Sequence, residues 1–358
     1  MQAERIPVTL LTGPLGSGKT TVLNAWLRGP AGRDAAVIVN EFGDVGLDHL
    51  LVRESTENLV LLENGCICCT VRDDLIATLR DLLARRESGS ITAFRRVVIE
   101  STGLADPAPV VHSLMNDLAL VLRFRLDRVV TTVAAVPGCA TLAEFEEARR
   151  QVAFADALVV TKTDLAEDGA TRRLEAELRR LNPTAALCRV VRGEAGAALL
   201  EGGGFDPGEK GEEVERWLGI EAALAHGHDH HHAGHGPCEA CTAEAARHDA
   251  GIGSFCLILS EALPWDAASL WLERLAARHG PGLLRVKGLL RIVEWPQGPV
   301  VVHGIQHLFH PPELREAWPG EDRRSRIVFI TRGIAAQEIE AMLQAARADA
   351  VRTVNATS

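Results

Sequence analysis

Gly13-Pro14-Leu15-Gly16-Ser17-Gly18-Lys19-Thr20 decides the reading of this chain. It matches G-x-x-x-x-G-K-[ST], the pattern of a phosphate-binding P-loop. An apolar, strand-like run, Ile6 to Leu11, leads in, and a helix-compatible run, Thr20 to Leu27, leads out. Glycines let the backbone curl so that successive N–H groups face phosphate oxygens, and the helix N-terminus adds partial positive charge. Gly13, Gly16, Ser17, Gly18, Lys19, Thr20 and Thr21 are therefore candidate phosphate ligands. Lys19 would neutralise the β/γ-phosphates, and the Thr20 hydroxyl would hold Mg²⁺.

Outward from this loop, short apolar runs alternate with helical patterns. The sequence predicts strands over Val8–Thr12, Ala36–Asn40, Leu59–Leu62, Arg96–Glu100, Arg128–Val136, Ala157–Thr161 and Ala186–Val191. Helices are predicted over Thr20–Leu27, Asp73–Arg85, Ala108–Leu120, Leu142–Ala153 and Thr171–Leu181. Near-continuous β-branched runs suit strands buried on both faces. The expected fold is α/β: a P-loop NTPase with a doubly wound, mainly parallel sheet over residues 1–200, binding ligands at the strands' carboxyl ends. A His- and Gly-rich linker is expected over 201–252, then a smaller α+β domain over 253–350 with a mostly antiparallel sheet. Its predicted elements are Ser254–Ser260, Leu283–Val293, Pro299–Leu308 and Arg326–Thr331 as strands, with helices over Asp266–His279 and from Ala335 to about Ala348.

Composition narrows the classes. At 47% hydrophobic and 24% charged residues the chain has ordinary globular composition. A net charge of −10 without a long basic run argues against nucleic acid as partner. No apolar run approaches a membrane span, and a strand follows the N-terminus almost at once, so a cytoplasmic protein without a secretory leader is expected. The oligomeric state stays open, a homodimer included.

Three further stretches carry chemistry. Thr161-Lys162-Thr163-Asp164 follows the apolar Ala157–Val160 and matches the [N/T]-K-x-D element that reads guanine. An ionised Asp164 accepts bonds from guanine N1–H and the 2-amino group, whereas adenine offers neither donor. Lys162 would lay its stem over the base. Arg96-Val-Val-Ile-Glu100-Ser-Thr-Gly103 is an apolar strand ending in an acid and a glycine, like a Walker-B strand and its turn. Glu100 would serve Mg²⁺ or orient the attacking water, and Gly103 would present an N–H to the γ-phosphate, so Lys19, Glu100 and Gly103 are the candidate catalytic groups. Helix capping is the plainer role for Glu100 and for Asp164.

Glu63-Asn64-Gly65-Cys66-Ile67-Cys68-Cys69 places three thiols in four positions. A reducing compartment disfavours structural disulfides, so clustered cysteines read as metal ligands or as a redox dithiol. Thiolates at ~2.3 Å suit tetrahedral Zn²⁺, and the same donors would take Co²⁺ or Cu. Asp44, in the loop Asn40–Asp48, is the candidate for completing the shell. The isolated Cys139, Cys188 and Cys256 read as small buried hydrophobes. His226, His228, His230, His231, His232 and His235 form a tract suited to modest, fast-exchanging metal capture, with Cys238 and Cys241 close by. For His303, His307 and His310 structural or surface roles are expected.

Together, Gly13–Thr21, Glu63–Cys69 (E-N-G-C-x-C-C), Glu100–Pro107 (E-S-T-G-L-A-D-P) and Thr161–Asp164 resemble the CobW-type P-loop GTPases, a family of metallochaperones. Leu284–Gly288 (L-R-V-K-G) and Val302–His307 (V-H-G-I-Q-H) extend the likeness to the family's C-terminal domain. The resemblance implies GTP hydrolysis with Mg²⁺, Zn²⁺ or Co²⁺ at Cys66, Cys68 and Cys69, and delivery to a client metalloprotein. By the same carry-over Lys19 and Thr20 serve phosphate and Mg²⁺, Glu100 is the Walker-B acid, and Lys162 and Asp164 read guanine. Where some relatives carry a Glu before the Asn of the second-strand loop and another after its Gly, this chain has Val39 and Asp44. An alternative reading is a metal store or sensor that uses the His tract, with GTP as conformational regulator.

Overall fold

A computed structural model describes residues 5–40, 59–62, 70–192, 200 and 251–357. The chain divides into two compact units. One runs to Arg179 and includes Ala185–Asp206; the other takes Arg180–Thr184 and the rest. Among the described residues no helix is long and apolar enough to cross a membrane.

The first unit holds a seven-stranded parallel sheet: β1 (Ile6–Thr12), β2 (Ala35–Asn40), β3 (Leu59–Leu62), β4 (Arg96–Glu100), β5 (Phe124–Ala134), β6 (Ala157–Thr161) and β7 (Ala186–Arg189). Their order is β3-β2-β4-β1-β5-β6-β7. β1 is central, pairing with both β4 and β5, so the strand that feeds the P-loop lies at the topological switch point. All five residues of β6 and four of the five in β4 are buried, as strands covered on both faces must be. Register aligns Leu11 with Glu100, Thr12 with Thr131, and Ala134 with Thr161. The loops that leave β1, β4 and β6 therefore open on one sheet edge.

Helices among the described residues of this unit are α1 (Lys19–Leu27), α2 (Thr70–Glu87), α3 (Ala108–Asn116), α4 (Leu118–Val121), α5 (Gly138–Glu144), α6 (Glu146–Phe154) and α7 (Asp168–Leu181). On α1, Val22, Leu23, Trp26 and Leu27 form one buried face against Leu11, Val37, Val98 and Val130. Trp26 is fully buried, with the Arg96 guanidinium 5.9 Å from its ring centre. Two predicted helices are each broken in two. Residues 108–120 break at Asp117, whose backbone is extended and whose carboxylate accepts from Ala119 and Leu120 N–H, capping α4. Residues 142–153 lie across a break at Phe145, also extended, after which Glu146 and Glu147 complement the N-terminal dipole of α6.

Among its described residues, the second unit pairs an antiparallel sheet with two helices. β8 (Ile252–Leu259), β9 (Leu283–Ile292), β10 (Trp295–Ile305), β11 (Leu308–Phe309) and β13 (Ser325–Arg332) run in the order β11-β10-β9-β13-β8, and β12 (Glu313–Leu314) pairs with β10. β10 ends earlier than predicted because Gln306, at φ 54°, turns the chain back into β11. Helices α8 (Trp265–His279) and α9 (Ala336–Thr357) bury Trp271, Leu275, Ile339 and Leu343 against Val286, Leu290 and Phe329. Trp271 donates its indole N–H to Ile339 O at 3.1 Å and meets Phe329 edge-on.

Candidate functional site

The glycines of the phosphate loop have the left-handed backbone that their positions require. Gly16 is at φ 71° and Gly18 at φ 93°, and Gly18 caps α1. Gly13 lies so close to β5 that a Cβ would stand 2.3 Å from Thr132 O. Thr132 Oγ1 hydrogen-bonds Ser17 Oγ at 2.6 Å, fastening the loop to the strand behind it. Lys19 curls over its own loop, donating to Gly13 O (2.9 Å) and Pro14 O (3.2 Å). Its ammonium is thereby stationed at the loop's mouth.

Across the β1–β4 pair, Thr20 Oγ1 donates to Glu100 Oε1 at 2.7 Å. Glu100 is 5% exposed. A hydroxyl and a buried carboxylate together are a hard oxygen donor set suited to Mg²⁺. At the start of the helix after this strand, Ala108 N donates to Asp106 Oδ1 at 2.9 Å, while Glu100 is bonded to Thr20. Ser101 N–H bonds Leu11 O, and its hydroxyl bonds Thr12 Oγ1. Gly103 then abuts the phosphate loop: a Cβ there would lie 2.5 Å from Leu15 N.

The third loop is tied to the first. Thr161 Oγ1 donates to Ser17 O at 2.6 Å, and Lys162 Nζ donates to Gly16 O at 2.8 Å. Lys162 adopts φ 55°, a left-handed backbone that a lysine holds only when its surroundings impose it. Asp164 lies in the short 3₁₀ turn Thr163–Leu165, exposed at the same edge. Thr21 is exposed on the first turn of α1.

The structure thus brings together Gly13, Gly16, Ser17, Gly18, Lys19, Thr20, Glu100, Gly103 and Lys162. Cys66, Cys68, Cys69, Asp44, the six histidines from His226 to His235, and Cys238 and Cys241 lie outside the described residues. Among the described residues, no three potential metal ligands converge. His303 is buried and meets His310 edge-on with ring centres 6.5 Å apart, while His307 is exposed. Cys139 is exposed on α5, not buried as its sequence suggested. Burial pushes the Cys188 thiol up to about 11, which leaves it unreactive. Sequence reasoning missed Thr132, Ser101 and Gln151. The first two carried a faint signal, being hydroxyls in or beside runs otherwise apolar.

A phosphate loop, a buried acid and the tethered Thr161–Asp164 loop on one edge of a parallel sheet define a P-loop nucleotide-binding protein. Comparison narrows the class. Residues 7–189 match the CobW/HypB/UreG nucleotide-binding domain, and residues 252–347 match the cobalamin synthesis protein cobW C-terminal domain. The chain belongs to the CobW family. It is 33% identical over 337 residues to the zinc chaperone YjiA of Escherichia coli, covering 94% of this chain and 97% of that one. It is 31% identical to the zinc chaperone CobW of Pseudomonas aeruginosa, covering 98% and 91%. A crystal structure of the Zn(II)-bound YjiA GTPase from E. coli superimposes with a TM-score of 0.65 at 28% identity, over 96% of this chain and 99% of that one.

Proposed function

We propose that this protein is a cytoplasmic, GTP-hydrolysing metallochaperone that carries Zn²⁺ to a client metalloprotein. The observation that carries the nucleotide half is the 2.7 Å bond between Thr20 and Glu100, beside a P-loop tethered to Thr161-Lys162-x-Asp164. The metal half is supported by near full-length likeness to proteins named zinc chaperones, and by the chemistry of Cys66, Cys68 and Cys69 with Asp44. Co²⁺ suits the same donors.

Hydrolysis is in-line attack of water on the γ-phosphorus, with loss of GDP as leaving group. Loop N–H groups and Lys19 bind the phosphates. Gly103 presents its N–H towards the γ-phosphate, and Glu100 orients the water or the metal's shell. Thr20 and Glu100 would hold Mg²⁺, which would supply neutralisation of the phosphates' negative charge. Asp164 selects guanine. The Cys stretch lies in sequence between β3 and α2, and the loop that leaves β4 sets Gly103 against the phosphate loop. A nucleotide that orders those loops changes the thiolate site, and the coupling is reciprocal.

Zn²⁺ titration with and without a nonhydrolysable GTP analogue tests this reading. Affinities differing by about 5-fold or more are expected; equal affinities would overturn the switch. Cys66→Ser with Cys68→Ser should remove the tight site and leave GTP binding intact.

A further inference from the structure

The loop that presents Gly103 is gripped from behind by a helix that the mechanism above does not use. Gln151 on α6 is fully buried. Its Nε2 donates to Gly103 O at 3.2 Å and to Ala105 O at 3.0 Å. Both partners are carbonyls, so the amide nitrogen must be the atom that faces the loop. The helix is itself anchored, because Thr131 Oγ1 on β5 donates to the Gln151 backbone oxygen at 2.7 Å. Beside it, Arg150 Nη1 donates to Asp106 Oδ2 at 2.9 Å, while the other oxygen of Asp106 accepts from Ala108 N at the start of α3. Arg150 is steadied in turn by Glu146, one helical turn back, at 3.1 Å.

The segment Ser101–Pro107 is therefore clasped on two sides. In front, Gly103 meets Leu15 of the phosphate loop, and Ser101 N–H is held by Leu11 O. Behind, Gln151 holds the peptide that follows Gly103. With the chain fixed on both sides of Gly103, the direction of the Gly103 N–H depends on a side chain that never reaches the nucleotide. Displacements of about 1 Å at such a position cost on the order of 100-fold in rate.

We propose that Gln151, supported by the Arg150–Asp106 pair, is a positioning residue for GTP hydrolysis: it sets the Ser101–Pro107 loop against the γ-phosphate. The proposal rests on the GTP-hydrolysis reading above.

The test uses the full-length protein and measures kcat and KM for GTP, Kd for GDP, and Tm. Gln151→Met keeps the side chain's length and removes its donors. It should lower kcat by about 10- to 100-fold, with GDP affinity within about twofold of wild type. Gln151→Glu places a carboxyl group against two carbonyls, and only its protonated form can donate. Burial raises such a pKa, so the ratio of variant to wild-type kcat should climb as pH falls. Asp106→Asn keeps an acceptor for Ala108 N and weakens the grip of Arg150, for an expected loss of about threefold. If Gln151→Met does not fold, Asp106→Asn and the pH profile of Gln151→Glu decide. Wild-type kcat in these variants, or an equal loss of kcat and GDP affinity, overturns the proposal alone. A wild-type protein that does not turn over GTP overturns the hydrolysis reading beneath it as well.

Discussion

At position 161 a threonine stands where base-reading loops more often carry asparagine, and the structure shows what the hydroxyl does. It donates to Ser17 O, inside the phosphate loop. The tether serves loop-to-loop geometry, and in the proposed reading base selection falls to Asp164. That division predicts the effect of Asp164→Asn. An amide cannot accept from both guanine donors, so a buried polar group goes unpaired at about 1–3 kcal/mol. GTP affinity should fall about 10- to 100-fold, while xanthosine triphosphate, which carries an acceptor where guanine has its 2-amino group, should gain. Competition binding with the two nucleotides reads both changes. The motif residues themselves were legible in the sequence because backbone conformation, charge and spacing are local properties. The Thr161–Ser17 and Gln151–Gly103 bonds were not, since they join residues far apart in the chain and nothing in either neighbourhood announces the other.

Among the elements, strands were more legible than helices. β2, β4 and β6 are apolar runs bounded by polar residues, and burial on both faces leaves them no alternative. The helical pattern runs on through Asp117 and Phe145, so periodicity alone could not place the breaks. What stops the helix at Asp117 is a competing local bond, carboxylate to Ala119 and Leu120 N–H, reinforced by Arg80 of α2 at 2.9 Å. Partial burial by itself would raise the pKa of Asp117, but the Leu120 N–H, Arg80 and the Ala119 N–H outweigh it and hold the carboxyl below its usual value. Because the folded pKa is depressed, the contribution is present above the unfolded value near 3.9 and lost as pH falls through the folded one. Asp117→Ala should therefore cost about 1 kcal/mol at pH 7 through the lost cap. The gap from wild type should narrow below about pH 4. Thermal melts across pH 3–7 measure it.

At the scale of the molecule, each unit has its own core. Trp271 sits at the centre of the second, in contact with strands and helices of that unit only among the residues of its cluster. Trp271→Ala should destabilise that unit by about 3–5 kcal/mol and move its unfolding transition down. The first unit's nucleotide site contains none of these residues, so GDP affinity should stay within about twofold. Calorimetry with and without GDP separates the two transitions, since bound nucleotide raises only the one that holds it. The sequence changes in composition after residue 200, whereas the chain divides less cleanly, because Arg180–Thr184 group with the second unit.

The central place of β1 has a consequence for biosynthesis. This strand and its phosphate loop leave the ribosome well before both of their sheet neighbours, Arg96–Glu100 and Phe124–Ala134. Thr161, which fastens the loop, is later still. At roughly 5–20 residues per second, the stretch from Thr12 to Glu100 takes about 4–18 s to synthesise, and through that interval β1 has neither of its sheet neighbours. During that interval the emerging polypeptide depends on whatever shields exposed strands at the tunnel exit.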